Sequence, residues 1–277
     1  MRPARVGALP IRETEAIVLR AHALGESDRI VTFLARGQGK VRAVAKGARR
    51  SRRRFGTNLE LLSRVRLAWF EKENQDLGRI ESADLLESFY DLQADPLRGA
   101  VLACFAEVAD AFAREQQEDD AFFRLLLAVL RAVRDGLDLD WAARYFEVWT
   151  LRLHGVLPDL ERCGGCGAAL AERGGRLLRR EGLASCSRCG ERRAGDPALP
   201  ADAIKAALAI LKRPPAAFVG VAPVREALAP LAQLASALFA DVTERTLRSY
   251  EVLDQLRRGW DAAGPGRSGP PRQGSRG

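Results

Sequence analysis

The stretch that decides the fold is ETEAIVLRAHALGESDRIVTFLARGQGKVRAVAKGARRSRRRFGTNLELLSRVRL, residues 13–67. It contains short runs rich in Val, Ile, Leu and aromatic residues, and Gly, Asn, Asp or Ser stands between them at turn positions. Because no helix is predicted between the first three runs, we expect an antiparallel barrel or sandwich. The predicted strands are Glu15–Ala21, Arg29–Ala35, Lys40–Ala45, Arg64–Glu71 and Leu77–Ser82.

The net charge of +8 is unevenly distributed along the chain. Residues 1–80 carry +10, residues 81–159 carry −9 and residues 160–277 carry +7. An Arg-rich, solvated surface is one interpretation, since 39 of the 44 basic residues are arginine, but the concentration of charge favours contact with a polyanion. No acid lies between Asp28 and Glu60. The cations of that segment are Arg29, Arg36, Lys40, Arg42, Lys46, Arg49, Arg50, Arg52, Arg53 and Arg54.

A five-stranded barrel with a basic face is the arrangement with which an OB-fold holds single-stranded nucleic acid. Phe55 and Trp69 are the aromatic candidates for stacking on bases, with core packing as the alternative; for Phe70 the two interpretations are equally favoured. The candidates for DNA contact are Arg29, Lys40, Arg42, Lys46, Arg49, Arg50, Arg52, Arg53, Arg54 and Arg66.

Residues 13–67 also resemble the N-terminal domain of the RecO family of bacterial recombination mediators. The resemblance rests on GESDRIVTFL, then GKVRAVAKGARR, then a segment ending in NLELL, and it extends to about residue 256. It implies an OB-fold over residues 1–84 that binds single- and double-stranded DNA, with Lys46, Arg49 and Arg50 in the basic turn. It also implies partnership with RecR and with the C-terminal tail of single-stranded-DNA-binding protein, in the bacterial cytoplasm at the nucleoid.

The remainder of the chain is predicted to be mainly helical, and residues 85–160 and 197–256 are assigned to one helical domain. Asp95 is expected to cap a helix that starts at Pro96. Residues 257–277 are predicted to be a disordered basic tail. Further helices are expected over Asp120–Arg134, 140–154, Pro200–Lys212, Val224–Ala240 and Thr243–Leu256. Candidates for docking the acidic partner tail, among which the sequence does not choose, are Arg124, Arg131, Arg134, Arg144 and Arg152.

Two CxxC pairs, Cys163 with Cys166 and Cys186 with Cys189, are separated by 19 residues. This spacing is typical of a four-cysteine zinc ribbon, and it predicts one structural Zn²⁺ in an inserted module over residues 161–196. A thioredoxin-like redox pair is the competing interpretation, but that motif needs a helix N-terminus in a βαβ unit. His154 as a substitute ligand is a minor alternative.

No residue pattern indicates an enzyme. Gly39-Lys40 is followed by Val41 where a phosphate-binding loop has Ser or Thr, and the chain has two histidines, neither in a catalytic motif. No apolar run reaches the length of a membrane span, and we expect no membrane partner. The predicted function is that of a DNA-binding recombination mediator in double-strand-break and gap repair, which anneals strands and helps load recombinase. The alternative is a zinc-ribbon OB-fold scaffold in RNA metabolism or transcription.

Overall fold

The structure is a computed structural model, which describes residues 11–50, 55–70, 77–190 and 195–263. Five strands form a closed barrel in the order β1-β2-β3-β5-β4. This confirms the predicted five-stranded OB-fold barrel and excludes the sandwich. The strands are β1 (Ile11–Leu24), β2 (Asp28–Ala35), β3 (Gly39–Ala45), β4 (Arg64–Phe70) and β5 (Gly78–Glu87).

Alternating side chains divide the barrel into two faces. Val31, Phe33, Val65 and Leu67 point inward and join the small barrel core. One outer wall is apolar as well: Ile17, Leu19, Leu34 and Leu62 belong to the core of the helical part. The barrel is therefore covered on this wall by helices, and only its other surfaces can meet a ligand.

The first helix after the barrel begins at a capping residue that is followed by proline. Asp95 accepts a hydrogen bond from the Arg98 amide at 2.7 Å, and Pro96 opens the first helix. The first three helices are α1 (Pro96–Phe112), α2 (Asp120–Arg134) and α3 (Leu139–Leu153). The later ones are α4 (Leu170–Arg173), α5 (Ala201–Lys212), α6 (Arg225–Thr243) and α7 (Arg248–Ala263). A short 3-10 helix over Tyr90–Ala94 joins the barrel to α1, and a second one spans Pro215–Phe218.

The end of α7 differs from the prediction. The helix continues to Ala263, so residues 257–263, which were assigned to a disordered tail, are helical. Arg257 donates to Asp140 of α3 at 2.5 Å, and this contact between distant segments stabilises a turn that has no apolar periodicity. Residues 264–277, the rest of the predicted tail, lie outside the described residues.

The cysteine-containing segment lies between α3 and α5. It forms a three-stranded sheet in the order β7-β6-β8 from β6 (Gly175–Leu178), β7 (Leu183–Ser185) and β8 (Ala198–Leu199). Leu177 and Leu199 from this sheet belong to the same apolar core as the helices. The ribbon is thus an insertion that shares the core of the helical part. Among the described helices, none is both long and apolar enough to cross a membrane.

The junction between the barrel and the helices also has an electrostatic component. Asp110 of α1 pairs with Arg20 of β1 and with Lys40 of β3, the latter at 3.3 Å. Arg36, in the β2–β3 turn, donates to Asp120 of α2 at 2.6 Å. Acids of the middle segment therefore neutralise several cations of the barrel within the molecule.

At the same junction, the backbone at the start of β3 closely approaches the loop between α1 and α2. The Lys40 amide donates to the Arg114 carbonyl at 2.8 Å. A Cβ at Gly39 would lie 2.3 Å from the carbonyl oxygens of Arg114 and Gln117, and Gly39 has φ +69°. Glycine is therefore required here for space as well as for backbone conformation.

We predict that Gly39→Ala destabilises the protein far more than Gly37→Ala. Gly37 has a similar φ of +71°, but no atom lies within 4 Å of its Cβ position. Alanine at this position would therefore introduce backbone strain without a steric clash. Gly37→Ala should lower the apparent free energy of unfolding by about 1 kcal/mol, and Gly39→Ala by at least about 2 kcal/mol more. Urea unfolding followed by tryptophan fluorescence measures both. Equal losses would show that the junction is not closely packed at Gly39.

Candidate nucleic-acid interface and metal centre

Four cations meet at one end of the barrel, which we call the basic tip: Arg29, Lys46, Arg49 and Arg50. Ala45 pairs with Arg29, and Leu24 pairs with Asp28, so the segment after β3 emerges beside the β1–β2 hairpin. The side chains of Lys46 and Arg50 are 55% and 70% exposed. Arg42 is also exposed and lies on β3, four residues before Lys46. The strand register thus brings a line of cations to one end of the barrel.

The turn after β3 is tied to the β1–β2 hairpin by backbone contacts. The Arg49 amide donates to the Ser27 carbonyl at 2.9 Å, and the Arg49 guanidinium donates to the Gly25 carbonyl at 2.5 Å. Arg50 lies 3.4 Å from the Glu26 carboxylate. The basic tip is therefore a folded turn with a defined backbone.

The Asp28 carboxylate also connects the turn after β3 to the β1–β2 hairpin. Its carboxylate accepts from Lys46 Nζ at 2.7 Å, from the Gly47 amide at 2.9 Å and from Ser27 Oγ at 3.0 Å. The Lys46 hydrogen bond, followed by that of the Gly47 amide, lowers the pKa of Asp28 to about 2. The group is therefore ionised at neutral pH and acts as an acceptor only. The charge pattern did not reveal this role, because Asp28 stands at the border of the acid-free segment.

Two predicted DNA contacts lie away from the basic tip. Lys40 is 19% exposed and is bound to Asp110 in the junction. Arg66 lies between Glu15 and Asp84 on the neighbouring strands and pairs with Glu13 at 3.8 Å. Both cations are engaged by acids that are distant in sequence. Arg52, Arg53 and Arg54 lie outside the described residues.

The predicted stacking role of Phe55 and Trp69 is wrong. Phe55 is 2% exposed and Trp69 is fully buried, and both rings belong to the barrel core. Their alternative interpretation, core packing, is confirmed. Phe70 is half-buried at the end of β4, opposite Ile11 of β1. No Phe, Tyr or Trp occurs in residues 25–30 and 44–50, the described segments that contain the basic tip.

The four predicted ligand cysteines form a compact cluster. Their sulfur atoms all lie within 4.8 Å of one another, and Cys166 Sγ is 3.8 Å from Cys186 Sγ. A tetrahedral zinc site with bonds of about 2.3 Å has sulfur–sulfur edges of about 3.8 Å, so the donor set fits such an ion. All four positions are thiols, which leaves no open position for a substrate or water.

The backbone around the cluster is shaped to receive thiolates. The Cys186 amide donates to Cys163 Sγ at 3.3 Å, and it is the main cause that lowers the pKa of Cys163 to about 5. A Cβ at Gly165 would lie 2.9 Å from that of Cys189, so glycine permits the two CxxC turns, 163–166 and 186–189, to approach each other. The fifth cysteine, Cys104, is buried in α1, where burial raises its pKa to about 12 and keeps it a thiol.

His154 takes no part in the metal site. It caps the C-terminus of α3, where Nδ1 lies 2.8 Å from the Thr150 carbonyl oxygen and Nε2 lies 3.4 Å from Asp119. Its ring packs against Phe112 and Phe122. It is a structural residue of the helical core.

Two family models match the chain. The model described as Recombination protein O N terminal covers residues 11–89, and the model described as Recombination protein O C terminal covers residues 93–251. The chain belongs to the RecO family. Membership supports a role in DNA repair and recombination. The two models meet at the 3-10 helix between the barrel and α1.

Curated relatives support the same family assignment. The chain is 34% identical to a protein of Koribacter versatilis named DNA repair protein RecO, over 89% of this chain and 99% of that relative. It is 32% identical to a protein of the same name from Symbiobacterium thermophilum, over 90% of this chain and 99% of the relative. A third relative with this name, from Anaeromyxobacter sp. (strain K), is 40% identical over 62% of this chain and 68% of its own length.

For this RecO-family chain, the structure reduces the number of arginines that are available to dock an acidic tail. Arg131 and Arg134 both bind Glu87, at 2.8 and 2.7 Å, and together they lower the pKa of that carboxyl. Arg144 is 4% exposed and pairs with the buried Glu147 at 2.6 Å. These three are engaged in holding the fold.

Two candidates remain accessible. Arg124 is 67% exposed and pairs with Asp120 one helical turn away, at 2.9 Å. Arg152 is exposed and has no ion-pair partner within the described part of the chain. An acidic segment can reach either side chain without breaking a buried contact.

We predict that Cys163→Ser or Cys189→Ser lowers the bound zinc from about one ion per chain to near zero and lowers the melting temperature. The reason is that the ribbon shares its core with the helices, and a bound metal would hold its two CxxC turns together. Elemental analysis and thermal unfolding under reducing conditions measure the two effects. Cys104→Ala is the matched control and should keep the zinc. Purified wild-type protein that contains no zinc would contradict the prediction.

Proposed function

We propose that the protein is a recombination mediator that binds single- and double-stranded DNA in the repair of double-strand breaks and gaps. The carrying observation is the basic tip, in which exposed cations project from a turn that is fixed to the barrel. In OB-folds, oligonucleotides bind at strands 2 and 3 and at the loops beside them, and the basic tip lies there. Membership of the RecO family supports the repair and recombination context.

The chemistry of the basic tip favours contact with phosphates. Lysine and arginine side chains bind the backbone of a strand through charge, with release of counterions, and do not identify bases. Phe55 and Trp69 are buried and offer no stacking platform of the kind that favours single strands. A phosphate-directed surface of this kind accepts single strands and duplexes, and it lowers the repulsion between complementary strands that anneal on it.

We propose further that the protein acts with RecR to load recombinase onto strands coated by single-stranded-DNA-binding protein. Of the five arginines predicted for this role, Arg124 and Arg152 are the two that are accessible to the acidic tail of that partner. The proposed activity needs no nucleotide hydrolysis and no covalent chemistry, and it belongs in the cytoplasm at the nucleoid. The cysteine cluster is proposed to hold one structural Zn²⁺, since four thiolates close the coordination shell.

The joint substitution of Lys46, Arg49 and Arg50 with Ala should weaken binding to all DNA sequences alike. Each phosphate contact contributes about −0.7 to the log–log salt slope for single strands, so the slope should flatten by about 1 to 2. Fluorescence anisotropy with labelled oligonucleotides at several salt concentrations measures affinity and slope together.

The matched control is the joint substitution of Lys205, Arg225 and Arg245 with Ala. These side chains are exposed on the helical part, and their removal changes the net charge by the same amount. The control should leave affinity and slope nearly unchanged. If both triple variants behave alike, binding follows net charge and the basic tip is not the site.

A comparison of nucleic acids tests the proposed class of function. We expect comparable binding of single- and double-stranded DNA and faster annealing of complementary strands, including strands coated by single-stranded-DNA-binding protein. A strong preference for RNA of equal length would favour the scaffold in RNA metabolism or transcription instead.

A further inference from the structure

The basic tip contains two acids whose surroundings differ sharply. Glu26 has a side chain that is 92% exposed, and its ion pair is a long contact of 3.4 Å with Arg50. Asp28 has a side chain that is 14% exposed and accepts hydrogen bonds from Lys46, Gly47 and Ser27. Both carry one negative charge at a surface proposed to bind a polyanion. Only Asp28 is attached to the backbone of the turn.

An acid beside a phosphate-binding surface opposes binding by direct repulsion. Asp28 also occupies Lys46, a cation that would otherwise be free for a phosphate. If Asp28 were only a counter-charge, its neutralisation would strengthen DNA binding, as that of Glu26 would. Its contacts with the backbone indicate a different role.

Asp28 fixes the turn at Gly47, two residues after the end of β3. Gly47 follows β3 with φ +72°, and its amide is fixed by the Asp28 carboxylate. The Arg50 amide then donates to the Gly47 carbonyl at 3.1 Å, and the Arg49 amide donates to Ser27. Without the Asp28 carboxylate, the first of these links is lost and the turn is held only further along the chain.

We propose that Asp28 is a positioning residue for DNA binding, which holds the turn so that Arg49 and Arg50 are presented to a phosphate chain in a fixed arrangement. The proposal rests on the proposed function of the basic tip. A turn that is already ordered loses less conformational entropy when a strand binds, so its cations bind more strongly than the same cations on a free loop. The gain from order exceeds the repulsion from one partly shielded carboxylate.

The test compares Asp28→Asn with Glu26→Gln, which remove the same charge from the basic tip with nearly no change in shape. Glu26→Gln should strengthen binding of a single-stranded oligonucleotide about two- to threefold at low salt, because one repulsive charge is lost. Asp28→Asn should weaken it about two- to fivefold, because the neutral amide holds Lys46 and the Gly47 amide less strongly and the loss of order in the turn outweighs the release of Lys46. Asp28→Ala should weaken binding further, because no oxygen is left to accept from Gly47.

The salt dependence separates positioning from a general loss of stability. Looser cations engage fewer phosphates together, so the Asp28 variants should flatten the log–log slope by about 0.5 to 1, whereas Glu26→Gln should leave it equal or steeper. A fixed fraction of unfolded protein lowers the apparent affinity by the same factor at every salt concentration and leaves this slope unchanged. If Asp28→Ala does not fold, Asp28→Asn against Glu26→Gln still decides the question.

Equal strengthening by Asp28→Asn and Glu26→Gln would overturn the proposal and make Asp28 a simple counter-charge. This outcome differs from failure of the proposed function. In that case the joint substitution of Lys46, Arg49 and Arg50 would itself leave DNA binding intact, and neither acid variant would change it.

Discussion

The apolar outer wall of the barrel constrains the rest of the structure. Ile17, Leu19, Leu34 and Leu62 face away from the barrel interior and are buried in the core of the helical part. A wall of this kind cannot face water without a large loss of hydrophobic stabilisation, so the helices must cover it. Leu62 adopts φ 64°, a conformation that is costly for a leucine, and its buried position in this wall compensates for the cost. The position of the helices then determines which surfaces of the barrel remain available.

The charge division along the chain has an internal use. Acids of the negative middle segment bind cations of the barrel: Asp110 pairs with Arg20 and Lys40, and Asp120 pairs with Arg36. These cations therefore act within the molecule. The basic tip is different because its nearest acids, Glu26 and Asp28, come from the barrel itself. Acids of the helical part thus neutralise cations at the junction, whereas Lys46 and Arg50 of the tip are paired with acids of the barrel.

The ribbon follows the same principle of shared burial. Its three strands are too short to form a core, and Leu177 and Leu199 are buried among the helices. Two of its cysteines, Cys163 and Cys186, are themselves buried at this boundary. A metal held by the four thiols would therefore stabilise the two CxxC turns and also the packing of the ribbon on α5 and α6. Loss of such a metal would therefore affect the packing of the helical part as well as the ribbon.

Sequence alone determined the features that depend on local periodicity and spacing. The five strands followed from short apolar runs, the start of α1 from Asp95 and Pro96, the range of α2 from the apolar pattern over Asp120–Arg134, and the cysteine cluster from two CxxC pairs. Tertiary structure decided which cations are free and which rings are exposed. Lys40 and Arg66 are paired with acids from other segments, Phe55 and Trp69 fill the barrel, and α7 continues past Arg257 because Asp140 binds it. The physical reason is that burial and ion pairing join residues that are distant along the chain, whereas strand and helix patterns, caps and knuckles are set by residues only a few positions apart.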